Sequence, residues 1–136
     1  MNKLVLEIPM LPPTVNHYQP QTGNRRYHTP AAQRFIETVW AIANGKICDG
    51  TRYHVAITLY YKNRRRTDID NRIKPTLDAL VKSGVIPDDS QIDNLIVTRE
   101  HDVCEHCTVY LHGLDAGSSE DHPVPTKHFD DVGAAF

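Results

Sequence analysis

The chain has little of what would set it apart from ordinary globular proteins. Its 136 residues include three cysteines, an odd number in a chain without a secretion signal, so Cys48, Cys104 and Cys107 read as free thiols. No apolar run approaches the ~18 residues of a membrane span. The opening Met1-Asn2-Lys3-Leu4-Val5-Leu6-Glu7 meets a charge after three apolar residues, which argues against a signal peptide and predicts a cytoplasmic, reducing location. There is no internal repeat. A composition 40% apolar and 24% charged fits a single domain able to close its own core.

Nor is there a large excess of either charge. The net value of −2 argues at face value against a polyanion as partner, but its distribution reverses that impression. Residues 1–114 carry fourteen Lys and Arg against twelve Asp and Glu, a net of +2, whereas residues 115–136 carry one lysine and five acids, a net of −4. The body is mildly basic. The tail, rich in Gly, Ser, Pro, Asp and His, reads as a flexible acidic extension.

Periodicity sets out the body. Residues 3–8 alternate as a strand with Leu4, Leu6 and Ile8 on one face. From Pro9 to Pro30 the chain shows neither period and reads as a long loop. It carries Asn16, Tyr18, Arg25, Arg26, Tyr27 and His28, side chains suited to phosphates and unstacked bases; the alternative is a solvated loop with its tyrosines folded onto the core. Thr29-Pro30 predicts a helix start with threonine as cap and proline in the first turn, followed by Phe35, Val39, Ile42 and Ala43 at helical spacing and a stop at Gly45. Tyr53 to Tyr61 alternates as a second strand. Ile73, Leu77, Leu80 and Val81 predict a second helix ending at Gly84, with an irregular first turn because of Pro75 and regular helix from about residues 72 to 75. Ile92 to Asp102 reads as a strand, with Glu105 to Leu111 as its hairpin partner. The sum is an α+β chain, with a small mixed sheet of about four strands packed against two main helices.

Between the second strand and the second helix lies the stretch Arg64-Arg65-Arg66-Thr67-Asp68-Ile69-Asp70-Asn71-Arg72-Ile73-Lys74. In extended backbone, Asp68 and Asp70 point the same way and can share one hard cation. Mg²⁺ suits such a pair, since it takes oxygen ligands, binds through one or two carboxylates and leaves positions for water and phosphate; Mn²⁺ is a plausible substitute. The basic run beside it would hold a phosphate backbone. Lys74 and Asp78 follow Asp70 in helical phase on the solvent side, where Asp78 is either a fourth ligand or a salt-bridge partner for Lys74. Asp88 and Asp89 form a second acidic pair in the turn after the helix. Singly, each motif is more often a helix cap or a turn; their joint spacing points to metal-assisted cutting of nucleic acid. Cys104-x-x-Cys107, with His101 and His112 nearby, suggests zinc far more weakly, because positions 104 and 107 of a continuous strand face opposite ways.

The arrangement Arg64-Arg65-Arg66, Asp68-x-Asp70-Asn71-x-x-Lys74, Asp78-Ala79-Leu80, Gly84 and Asp88-Asp89-x-Gln91 resembles the RusA family of Holliday junction resolvases over residues 3–114. Pro9, Pro12-Pro13, Asn16 and Tyr18 are similar to that family's opening segment. The resemblance implies a homodimeric, Mg²⁺-dependent endodeoxyribonuclease that resolves four-way DNA by paired cleavage in recombination and repair. In it Asp68, Asp70 and Asp89 look like the metal-coordinating carboxylates and Lys74 like the catalytic lysine. DNA contacts are expected from Asn16, Tyr18, Arg25, Arg26, Arg64, Arg65, Arg66 and Arg72, with no membrane partner. The alternative is a non-cleaving branched-DNA-binding module of the same fold, such as a decayed prophage protein. The acidic tail and the Cys/His cluster at 101–112 depart from the family pattern.

Overall fold

The computed structural model describes residues 2–14, 21–22, 25–26, 29–63 and 69–115. The expected division into a body (1–114) and an acidic tail therefore leaves nearly all of the tail outside the described residues. Strands β1 (Lys3–Ile8), β4 (Arg52–Tyr61), β5 (Ile92–His101) and β6 (His106–Leu114) form a four-stranded mixed sheet in the order β1-β6-β4-β5, and α1 (Pro30–Ala43) and α2 (Ile73–Lys82) are its helices. A two-residue pairing of β2 (Gln21–Thr22) with β3 (Arg25–Arg26) interrupts the stretch read as loop. Two residues a side are too short to leave a periodic signal.

One face of the sheet makes the core. Leu4, Leu6 and Ile8 of β1, Val55, Ile57 and Leu59 of β4 and Cys107, Val109 and Leu111 of β6 are all buried there, in one cluster with Phe35 and Val39 of α1 and Ala79 and Leu80 of α2. Each fully buried large apolar side chain contributes about 1.5–3 kcal/mol. Thr29 caps α1 as the sequence predicts: its hydroxyl accepts from the Ala32 amide at 3.2 Å, with Pro30 in the first turn. The most buried stripe of α2 is Thr76, Ala79 and Leu80, with Leu77 and Val81 on its flank. It is thus turned from the stripe read off the sequence, because α2 packs against α1 while sharing one apolar cluster with the sheet.

The hairpin of the last two strands is not what forms. β5 pairs with β4 in parallel, β6 pairs with both β4 and β1 antiparallel, and β4 lies between β5 and β6. Residues 102–105 thus step across the end of β4, about 10 Å for two strand spacings, which four residues reach easily. Asp102 N donates to Tyr61 O at 3.1 Å, and Lys62 N donates to Glu105 Oε2 at 3.4 Å, so the crossing is fastened to the strand it passes.

At the opposite end of β4, Asp49 and Gly50 press against β6. A Cβ on Gly113 would lie 1.8 Å from the Asp49 carbonyl oxygen, so only glycine fits. Thr51 N donates to Leu114 O at 2.8 Å. The start of β4 is thereby tied to the end of β6, and its parallel pairing of Tyr53 with Ile92 sets it beside the turn that enters β5.

Candidate active site

The site is built on α2 and the turn behind it. Ile69–Arg72 forms a 3-10 turn that runs into regular helix at Ile73, inside the window the sequence predicts. Pro75 is tolerated because it falls in the first helical turn, where backbone amides have no partner within the helix. The Thr76 hydroxyl donates to Arg72 O at 2.7 Å and ties the junction together. Asp70 is exposed and lies in this turn, one helical turn before Lys74. It is therefore not in the extended backbone at a strand end that the sequence reading assumed, and coplanarity with Asp68 does not follow from strand geometry. Asp68 itself lies outside the described residues.

Gly84, at φ +81°, lets the chain leave α2 through left-handed backbone that other residues rarely adopt. Val85 and Ile86 are then buried, Cys48 N donates to Val85 O at 2.9 Å, and the chain doubles back. A second 3-10 turn, Asp89–Gln91, separates the two neighbouring acids. Asp88 caps that turn: its Oδ2 accepts from the Ser90 hydroxyl at 2.7 Å and its Oδ1 from the Ser90 amide at 3.4 Å. These bonds hold the Asp88 carboxyl below its ordinary pKa. Asp89 instead reaches α2, with Oδ2 3.8 Å from Lys74 Nζ. The sequence left open which acid turns inward, and in the structure it is Asp89 that faces the lysine.

Lys74 also donates to Asp78 Oδ1 at 3.1 Å, one turn further along α2. Its side chain is 60% exposed, whereas that of Asp78 is only 18% exposed, so the carboxylate is the fixed partner and the lysine the one that leans on it. The hydrogen bond that Lys74 donates to Asp78 is the foremost cause raising the lysine pKa; burial opposes it, and the charges of Asp78 and Asp89 add to the rise. Lys74 is held as a cation, and a salt bridge is the role the structure gives Asp78.

Arg72 does not present itself to DNA as expected. It is 7% exposed; Nε donates to the Tyr61 hydroxyl at 3.1 Å, Nη1 donates to the Pro12 carbonyl, and the guanidinium lies 5.6 Å from the centre of the Tyr61 ring. It joins the loop after β1, the end of β4 and the start of α2 from inside. Periodicity could not reveal this, because the partners are distant in sequence. Of the other expected DNA contacts, Arg25 and Arg26 form β3, while Asn16, Tyr18, Arg64, Arg65 and Arg66 lie outside the described residues. Cys107 is buried, with its thiol pushed up to about 12 by desolvation, and Cys104 is exposed in the turn before β6.

Among the described residues, no group of three or more His, Cys, Asp or Glu is arranged to hold a metal. Asp70 and Asp89 bring oxygen donors only, the chemistry of a hard cation bound through one or two carboxylates. The residues fit Mg²⁺ by donor type.

A small mixed sheet with two helices, bearing a lysine flanked by carboxylates at the head of the second helix, defines an α+β protein with an acid–lysine surface site. The family model for endodeoxyribonuclease RusA matches residues 9–111, and the chain belongs to that family. It is 29% identical over 102 residues to the crossover junction endodeoxyribonuclease of Enterobacteria phage HK97, covering 73% of this chain and 84% of that protein. The corresponding protein of Aquifex aeolicus (strain VF5) is 31% identical over 96 residues, covering 68% and 76%, and that of Escherichia coli (strain K12) is 30% identical over 102, covering 73% and 84%.

Proposed function

We propose that this chain is a Mg²⁺-dependent, structure-specific endodeoxyribonuclease that resolves Holliday junctions by paired phosphodiester cleavage. Membership of the endodeoxyribonuclease family supports the reaction class, and relatives named crossover junction endodeoxyribonuclease support the four-way substrate. The observation that carries the reading is the approach of Asp89 to Lys74, 3.8 Å across two separate elements. A purely structural turn has no need of that pairing.

Asp70 and Asp89, with Asp68, would hold the cation. When bound it supplies an activated water and offsets charge on the scissile phosphate. Lys74, kept protonated by Asp78, offers a compact positive charge to the phosphoryl oxygens or the departing oxygen as negative charge builds. Asp78 aims that charge along α2. Arg25, Arg26, Arg64, Arg65 and Arg66 supply the salt-dependent hold on the backbone, so binding survives loss of a carboxylate. A homodimer would set two such sites on the two equivalent strands of a junction.

The test is a four-way junction incubated with the protein, with Mg²⁺ and with chelator. Cleavage at two symmetry-related positions is expected with Mg²⁺ alone, and Asp70→Asn should shift the junction on a gel without nicking it. Binding without nicking by the unmodified chain would leave a non-cleaving junction-binding module, and undiminished nicking by Asp70→Asn would remove the carboxylates from the chemistry.

A further inference from the structure

We propose that Arg52 and Asp93 form a clasp that positions Asp89 for cleavage, an inference that rests on the nuclease reading above. Arg52 opens β4 and Asp93 follows the Asp89 turn into β5. Arg52 Nε donates to both carboxylate oxygens of Asp93 at 3.0 Å, Nη2 donates to Asp93 Oδ1, and Nη2 reaches the Ser90 carbonyl at 3.5 Å. One guanidinium therefore grips the residue after Asp89 and the side chain of Asp93 together. A second tether runs from Gln91 Nε2 to Thr51 O at 3.0 Å, and a third is the bonding of Asp88 to Ser90 within the turn.

The strand register has the same consequence. β4 and β5 pair Tyr53 with Ile92 and then His54 with Asn94, so Asp93 is the extra residue of a bulge. Bulges are uncommon in parallel pairs, and where they occur they re-aim a side chain or end the pairing. Here the bulged side chain is the one that meets Arg52. Stability does not account for the arrangement, because both partners are more than a third exposed and pairs that open to water contribute little. What it does fix is the orientation of the four residues 88–91. Within them Asp88 and Ser90 bond each other, the Ser90 carbonyl is reached by Arg52 and Gln91 reaches Thr51 O, while Asp89 is directed across to Lys74. Arg52 touches no reacting atom and is a positioning residue.

The experiment compares the full chain with Arg52→Ala, Arg52→Lys and the exchanged pair Arg52→Asp/Asp93→Arg. Three quantities are measured: junction cleavage at saturating DNA in Mg²⁺, junction binding without metal, and amide exchange at Ser90 and Gln91. Arg52→Ala should lower kcat about 10- to 100-fold, the usual cost of losing a residue that orients a ligand, with junction affinity unchanged and the two amides exchanging faster. Arg52→Lys keeps the charge but not the fork and should recover only part of the rate, whereas the exchanged pair should recover most of it. A purely structural role would not follow the pairing in this way. Wild-type kcat in Arg52→Ala, or unchanged exchange at Ser90 and Gln91, overturns the clasp while leaving the nuclease reading intact. A parent chain that fails to cut with Mg²⁺ removes both, and shows the difference because the failure appears before any substitution.

Discussion

Strand β5 is bounded by two turns rich in ionisable side chains, and they are put to different uses. In the leading turn, Asp88 and Ser90 bond each other, Gln91 holds the Thr51 carbonyl, and Asp89 faces a lysine on another element. In the trailing turn, which joins β5 to β6, the side-chain contacts run to the end of β4 that it crosses or stay within the turn. His101 Nε2 lies 3.0 Å from Lys62 O, Asp102 accepts from the Val103 amide at 2.7 Å, and His106 Nε2 lies 2.7 Å from Asp102 Oδ2 with its ring stacked 4.2 Å from Tyr60. Both turns looked like sites in the sequence. What marks the leading turn is a carboxylate brought up to a lysine side chain on a helix.

The sharpest way to break that contrast is to neutralise one acid in each turn. Asp89→Asn should reduce junction cleavage on the order of 10³-fold or more, as expected where charge stabilisation at the phosphate is lost, while Asp102→Asn leaves the rate within about two-fold, the ordinary range for surface changes. Initial rates on a labelled four-way junction check both. Lys74→Ala should cost roughly 10²- to 10³-fold in kcat with gel-shift affinity retained; equal loss of binding would make Lys74 a DNA anchor instead.

Arg72 sharpens the comparison from inside the fold. Arg72→Met leaves the Pro12 carbonyl and the Tyr61 hydroxyl without their donor and should destabilise by about 1–3 kcal/mol, read from urea unfolding, with no change in the salt dependence of junction binding. A reduced salt slope at unchanged stability would restore it to the DNA contacts. The smallest effect concerns the thiols. Cys48 and Cys107 are pushed up to about 11 and about 12 by burial, so both stay neutral in the folded chain, and only exposed Cys104 should react with an alkylating reagent at pH 8. A raised thiol pKa favours the folded state below the ordinary value of 9.0 and that contribution fades as pH rises above it, so unfolding midpoints should fall at strongly alkaline pH.

Local chemistry made much of this fold legible. Alternation found β1 and β4, the Thr29-Pro30 pair found the start of α1, and Pro75 told where α2 becomes regular. Pairing across the sheet was not legible, because a four-residue link between two strands looks the same whether they are neighbours or have β4 between them. Residue types and spacing singled out Asp70, Lys74 and the Asp88-Asp89 pair as candidates, but which of those two acids faces Lys74 depends on the backbone turn that engages Asp88 with Ser90. Arg72 read as one more surface cation, since nothing local marks it as buried against Tyr61. Arg52 and Asp93 carried no signal at all; their meeting depends on a bulge that only the strand register reveals.

Anomalous scattering from a crystal of the chain soaked in Mn²⁺ would show where the ion sits and which side chains hold it. The account predicts an ion with carboxylate oxygens of Asp70 and Asp89 among its ligands, at roughly the 2.0–2.6 Å of hard-cation coordination, and Lys74 beside it. An ion bound by Asp88 with Asp89 turned away, or bound at the Asp102–His106 turn instead, would contradict it.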